Sequence, residues 1–156
     1  MAFDDEALKR LRARYGEGHG GHIHDPEFRA VADRIFSASG TRAAPYSGIP
    51  TLLDATYRPI DIAQPELSDL DVALIGVPMD LGVTNRPGSR FGPRALRSIE
   101  RVGPYNHVLK TAPLFEMKVA DIGDVPFRSR YRLEMSHEDI EAYFNTVVQA
   151  GVIPLS

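Results

Sequence analysis

The densest run of chemically capable residues is Gly82-Val83-Thr84-Asn85-Arg86-Pro87-Gly88-Ser89-Arg90-Phe91-Gly92-Pro93-Arg94-Ala95-Leu96-Arg97. Arg86 and Arg90 carry planar guanidinium forks that match a carboxylate or a phosphate. Gly82, Gly88 and Gly92 permit left-handed turns or a close backbone approach to a ligand. The free amides ahead of Pro93 would attract an anion. The run lacks the Gly-Lys-Ser/Thr of a P-loop and the G-x-G-x-x-G of a dinucleotide site. The same arginines serve equally well to bond backbone carbonyls or to meet a second subunit, so residue types alone leave ligand contact and a structural role both open.

Other side chains offer less. His19, His22 and His24 precede Asp25 in a glycine-rich stretch. Imidazoles are common metal ligands, but ordering this stretch would cost chain entropy, and it reads as a connector. His107 sits in a loop that could approach a cleft mouth, and His137 reads as a cap or a solvent-facing residue. Asp80, Asp121 and Asp124 fall at expected strand ends, as loop braces or as groups supporting metal ligands. Arg128, Arg130 and Arg132 alternate with Ser129 and Tyr131, as a polar edge or a subunit contact. There is no cysteine, which removes thiolate metal sites, cysteine nucleophiles and a disulfide scaffold.

The elements that must position these groups follow from local pattern. Residues 4–15 predict a helix, capped by Asp4 or Asp5, with Leu8, Leu11 and Tyr15 in one stripe and Gly16 as its end. Asp25-Pro26 opens a second helix with Phe28, Val31 and Ile35 inward. Residues 37–69, punctuated by Pro45, Pro50, Pro59 and Pro65, read as an extended wrapping segment. Asp71 to Pro78 is a near-continuous apolar run, the mark of a parallel strand buried on both faces. Pro93 opens a helix to about Arg101, with Leu96 and Ile99 inward. Phe115 to Ile122 predicts a second strand. Ser136, followed by Asp139, predicts a helix start; Ile140, Tyr143, Phe144 and Val147 form its buried face, and Gly151 its end. Val152 to Leu155 opens a third strand. The expected division is 1–70, a helical N-terminal extension, and 71–156, a β-α-β-α-β unit with right-handed crossovers.

Charge supports that division. Residues 1–70 hold 8 Lys/Arg against 11 Asp/Glu, and residues 71–156 hold 10 of each. The whole chain, 156 residues at net −3, argues against nucleic-acid binding, which favours basic surfaces. Its 43% hydrophobic and 25% charged residues suit a folded domain, and no apolar run reaches the roughly 18 residues of a membrane span. The acidic start lacks the layout of a signal peptide. A cytoplasmic protein is expected, with no nucleic acid and no membrane as partners.

Val77-Pro78-Met79-Asp80-Leu81-Gly82, then Thr84 to Pro93, then Asp121-Ile122-Gly123-Asp124 together resemble the ureohydrolase family of arginases and agmatinases, in its agmatinase-like branch. Ser47-Gly48-Ile49-Pro50-Thr51 is similar to the segment before the first strand in that branch. The resemblance runs from about residue 46 to 156. It implies a three-layer α/β fold with a mainly parallel sheet, and two divalent metal ions, manganese or nickel. It also implies hydrolysis of a guanidino compound to urea and an amine, which suits a hydroxide held by metal at neutral pH. If the loop touches substrate, Asn85, Arg86 and Arg90 are the positioning residues. The family's metal-ligand motifs, Gly-Gly-Asp-His, Asp-Ala-His-x-Asp and Asp-x-Asp, are not in this sequence, and no catalytic residue or metal ligand is assigned. Gly-Gly-Asp-His would follow the third strand at once, so the chain is expected to be the N-terminal portion of such an enzyme and inactive alone. It would act as a homo-oligomer or with a complementary chain. The competing expectation is a non-catalytic α/β module whose sheet a partner completes.

Overall fold

The computed structural model describes residues 4–15, 48–99, 106 and 108–156. The expected helix after Asp25-Pro26, the cluster His19, His22, His24 and Asp25, and His107 lie outside the described residues. The chain forms two compact units: residues 1–43 with 105–112, and residues 44–104 with 113–156. In the first, α1 (Asp5–Tyr15) forms as the sequence predicts. The Asp4 carboxylate accepts the Ala7 amide at 2.5 Å, satisfying a donor that the first helical turn leaves without a partner.

The second unit is built on four parallel strands: β1 (Thr56–Tyr57), β2 (Val72–Gly76), β3 (Val119–Asp124) and β4 (Ile153–Leu155), in the order β1-β3-β2-β4. Ala73 pairs with Ala120 on one side and Pro154 on the other. All five β2 residues are buried, as expected of a strand covered on both faces. Three helices accompany the sheet: α2 (Gly92–Arg97), α3 (Pro113–Glu116) and α4 (Leu133–Gln149).

Alternation along the strands divides the core. Ala73, Ile75, Ala120 and Ile122 face α4, where Tyr143 and Val147 pack with Leu67, Val125 and Val152. The Tyr143 hydroxyl donates to the Ile122 carbonyl at 3.2 Å. Val72 and Leu74 face the other way, onto Ala55, Leu52, Leu114 and Val119. Asp121 shares this second face, and there it meets Arg97 of α2. The helices after β2 and after β3 therefore lie on opposite faces of the sheet, although β2 and β3 are neighbours.

Four local expectations are corrected. The segment 48–69 contributes β1 instead of wrapping throughout. α2 ends at Arg97, and Leu96 and Ile99 are 55% and 53% exposed, because the inner side of this short helix is given to the Arg97 guanidinium. The second strand starts at Val119, since Pro113–Glu116 turns as a helix, and it runs on to Asp124. α4 starts at Leu133, three residues early. Ser136 is buried inside its first turn, its hydroxyl returning to the Arg132 carbonyl at 3.1 Å, and Asp139 holds Arg128 instead of supporting a cap. The helix end is as expected: the Gly151 and Val152 amides return to the Val148 and Val147 carbonyls at 2.9 and 3.3 Å, the paired bonds of a Schellman close.

Candidate functional site

Strands that are parallel deliver all their carboxyl ends to one edge. Where two neighbours send their following helices to opposite faces, a crevice opens between their loops. Here that point lies between β2 and β3. The loop after β2 starts with a tight turn, the Met79 amide on the Val77 carbonyl at 2.9 Å. It is then held by one buried carboxylate. Asp80, 1% exposed at its side chain, accepts the Gly88 amide at 2.8 Å and Arg90 Nε at 2.6 Å. Gly88 adopts φ +141°, a backbone conformation that disfavours a side chain. The Ser89 hydroxyl adds a long bond to the Met79 carbonyl at 3.4 Å. The Arg90 guanidinium, aided by the Gly88 amide and against the opposing effect of burial, holds the Asp80 carboxyl below its ordinary range.

Of the three residues expected to position substrate, the structure separates one from the other two. Arg90 is committed to Asp80. Asn85 and Arg86 lie exposed on the clasped loop, and neither side chain makes a hydrogen bond or ion pair with the described residues.

A second and larger brace lies beneath. Arg97 donates from Nε to Asp121 Oδ2 at 2.8 Å and from Nη2 to Asp121 Oδ1 at 2.8 Å. Its Nη1 reaches Asp124 Oδ1 at 2.5 Å. Asp121 also accepts the Leu52 amide at 2.8 Å and the Gly123 amide at 3.0 Å. One carboxylate thus ties α2, the segment before β1 and the end of β3 together. Burial pushes the Asp121 carboxyl up, but the bonds from Arg97, Leu52 and Gly123 outweigh it and leave the group below its ordinary range. Burial, with the nearby Asp124 and Asp121 charges, pushes the Tyr143 hydroxyl up to about 12. Gly76 makes room for this arrangement. A Cβ there would overlap the Asp124 carboxylate and lie 2.9 Å from Pro93 Cβ.

Arg97 was not singled out by sequence reasoning. A signal for it existed: buried carboxylates need cationic partners, and Arg97 is the basic residue one turn into the helix that Pro93 opens. The remaining arginines divide as well. Arg128 holds Asp139, through its backbone amide at 2.8 Å and its Nε, and Glu138 at 2.7 Å. Arg130, Tyr131 and Arg132 are exposed, Tyr131 by 90%. His137 is exposed on α4.

The carboxylates at this edge are therefore braces. Among the described residues no group of three His, Asp or Glu side chains could hold a metal ion, and Asp80, Asp121, Asp124 and Asp139 are all engaged by arginine. A dinuclear metal centre does not fit the described residues. Among the same residues no helix is long and apolar enough to cross a membrane.

The family model of the arginase family matches residues 70–156, which include both braces and the clasped loop. The chain belongs to the arginase family. The guanidinobutyrase of Pseudomonas aeruginosa is 35% identical over 119 residues, covering 75% of this chain and 36% of its own length. The mitochondrial agmatinase of Gallus gallus is 34% identical over 128 residues, covering 77% and 37%. The structure of proclavaminate amidino hydrolase from Streptomyces clavuligerus superposes with a TM-score of 0.60 at 25% identity, covering 69% of this chain and 34% of that one. This arginase-family chain thus spans about a third of the length of these relatives. Its parallel sheet with helices on both faces is a partial unit of the three-layer α/β fold that the resemblance implied.

Proposed function

We propose that this chain is the N-terminal portion of a metal-dependent amidinohydrolase that releases urea from a small guanidino compound. The observation that carries the reading is that the matched region, residues 70–156, contains the whole β2–α2 loop, clasped by Asp80 at the carboxyl edge of the sheet. In this reading Asn85 and Arg86 contact substrate, while Arg90 positions them by fixing the loop. The two divalent ions expected of the family, manganese or nickel, are held by groups other than the described residues. The chain alone is then inactive, because it brings a wall of the site and not the hydroxide that attacks the guanidinium carbon.

The test is urea release with Mn2+ or Ni2+ from agmatine, 4-guanidinobutyrate, 3-guanidinopropionate and guanidine. The chain is assayed alone, and again fused to the remaining two thirds of the Pseudomonas guanidinobutyrase. No urea from the first and urea from the second is expected. Turnover by the chain alone would falsify the assignment of the metal ligands to groups outside it. A second reading, a non-catalytic module completed by a partner chain, draws on one observation: β4 is at the sheet edge, with Ile153 and Leu155 64% and 52% exposed. It predicts an unchanged, inactive fusion.

A further inference from the structure

The segment between β3 and α4, residues 125–132, belongs to no helix or strand, and its three arginines differ in freedom. Arg128 is held. Its guanidinium pairs with Asp139 and, at 2.7 Å, with Glu138, and its backbone amide donates to Asp139 Oδ2 at 2.8 Å. Arg132 is exposed, but its carbonyl accepts the Ser136 amide and hydroxyl, both at 3.1 Å, so its bond to Leu133 is built into the first turn of α4. Arg130 is exposed, and neither its side chain nor its backbone makes a hydrogen bond or ion pair with the described residues. Tyr131, which follows it, is 90% exposed. The Tyr131 amide makes one long bond, to Ser129 Oγ at 3.2 Å.

The other described basic residues are shielded in several ways. Arg58 and Arg86 each precede a proline, whose ring constrains the backbone and leaves no N–H in the bond. The guanidiniums of Arg90 and Arg97 are spent on Asp80 and Asp121. The Lys118 carbonyl accepts the Asp71 and Val72 amides at 2.9 and 3.2 Å. Lys110 lies in a turn closed by the Asn106–Thr111 bridge. The remainder lie within α1 and α2.

We propose that the Arg130–Tyr131 peptide bond is a cleavage site for an arginine-selective serine endopeptidase, and that the cut chain stays assembled. Such an enzyme takes the guanidinium into an acidic pocket, and exposed segments outside regular structure are where nicking concentrates. Water adds across the bond. The C–N bond breaks, the hydroxyl joins the Arg130 carbonyl carbon, and the proton goes to the Tyr131 nitrogen. Arg128 on one side of the break holds Glu138 and Asp139 on the other, so this clip bridges the cut. Beyond it, Tyr143 and Val147 of α4 remain in the core, and β4 keeps its pairing with β2. The inference does not depend on the hydrolase reading.

The test is a time course of trypsin digestion of the full 156-residue chain under native conditions, read by mass spectrometry and size-exclusion chromatography. Among the described residues, the first cut is expected after Arg130. The fragment 131–156 should then co-elute with the rest of the chain until denaturant is added. Arg130→Gln should slow that cut about a hundredfold or more, because a pocket built to pair a guanidinium rejects a side chain without the charge. Arg130→Lys should restore it, and Arg132→Gln should leave it in place. Arg128→Ala removes the clip and should lower the denaturant concentration at which 131–156 separates. An earlier cut at Arg132, Lys110 or Lys118 would overturn the proposal. So would an Arg130–Tyr131 bond that survives until the chain unfolds, or release of 131–156 without denaturant.

Discussion

Two arginine–carboxylate clasps, a lower one at Arg97–Asp121 and an upper one at Arg90–Asp80, do different work. In the lower one, Arg97 is 11% exposed and Asp121 is fully buried, and the pair ties together segments far apart in sequence. In the upper one, Asp80 is as deeply buried, but its partner Arg90 is 44% exposed and both belong to one loop. A guanidinium with no route to water cannot be left unpaired without cost. One that can turn into solvent can be released cheaply. The lower clasp therefore belongs to the stability of the unit, and the upper one to the shape of its loop.

The sharpest way to break this distinction is Arg97→Met, which keeps bulk and removes charge. Leaving Asp121 buried and unpaired should cost about 3–5 kcal/mol, read from denaturant unfolding; a loss no larger than that of a surface substitution would merge the two clasps into one class. Gly76→Ala attacks the same cluster from beneath. Its Cβ must displace Asp124 or Pro93, an overpacking worth about 1–3 kcal/mol.

Acid sharpens the contrast further. The Asp121 carboxyl is depressed below its ordinary value of 3.8 in the fold. The unfolded chain therefore takes up this proton first, so the stability it contributes is complete above about 3.8 and is lost as pH falls through the lower, folded value. Asp121→Asn should flatten that part of the stability–pH curve, measured by thermal unfolding across the acid range.

Asp80→Asn should act locally. Faster hydrogen exchange at the Gly88 amide is expected, with the exchange of β2 and β3 amides unchanged; a global loss of protection would show that the upper clasp also holds the sheet. Arg86→Ala should be smallest of all, within about 0.5 kcal/mol of the parent in unfolding experiments, because its side chain is exposed and makes no hydrogen bond or ion pair with the described residues.

Some of this was legible before any coordinates. The continuous apolar run of β2 could only be a strand buried on both faces, and Tyr143 and Val147 showed the inner stripe of α4 by their spacing. The loop was legible as a loop, and Asp80, Asp121 and Asp124 as braces or supports, because they fall at the ends of the apolar strand runs. Partner choice was not legible. Arg86, Arg90, Arg94 and Arg97 are close in sequence and chemically alike, yet one holds Asp80, one holds Asp121 and Asp124, and Arg86 holds nothing described. Leu96 and Ile99 misled for a related reason: apolar spacing announces a buried face, but here a paired guanidinium took the inner side of a helix only six residues long.

The residue pattern by itself determined the alternation of strands and helices, the helix-ending Gly151, the absence of thiol chemistry and the arginase-family resemblance carried by the β2–α2 loop. Those features are local: they depend on backbone preference, on periodicity and on which atoms a side chain possesses. Only the tertiary structure decided the strand order, the opposite faces of α2 and α4, and which arginines are spent on carboxylates. Pairing across 24 and 27 positions, as between Arg97 and its two aspartates, is set by where the sheet brings chain segments together, and no local preference encodes that distance.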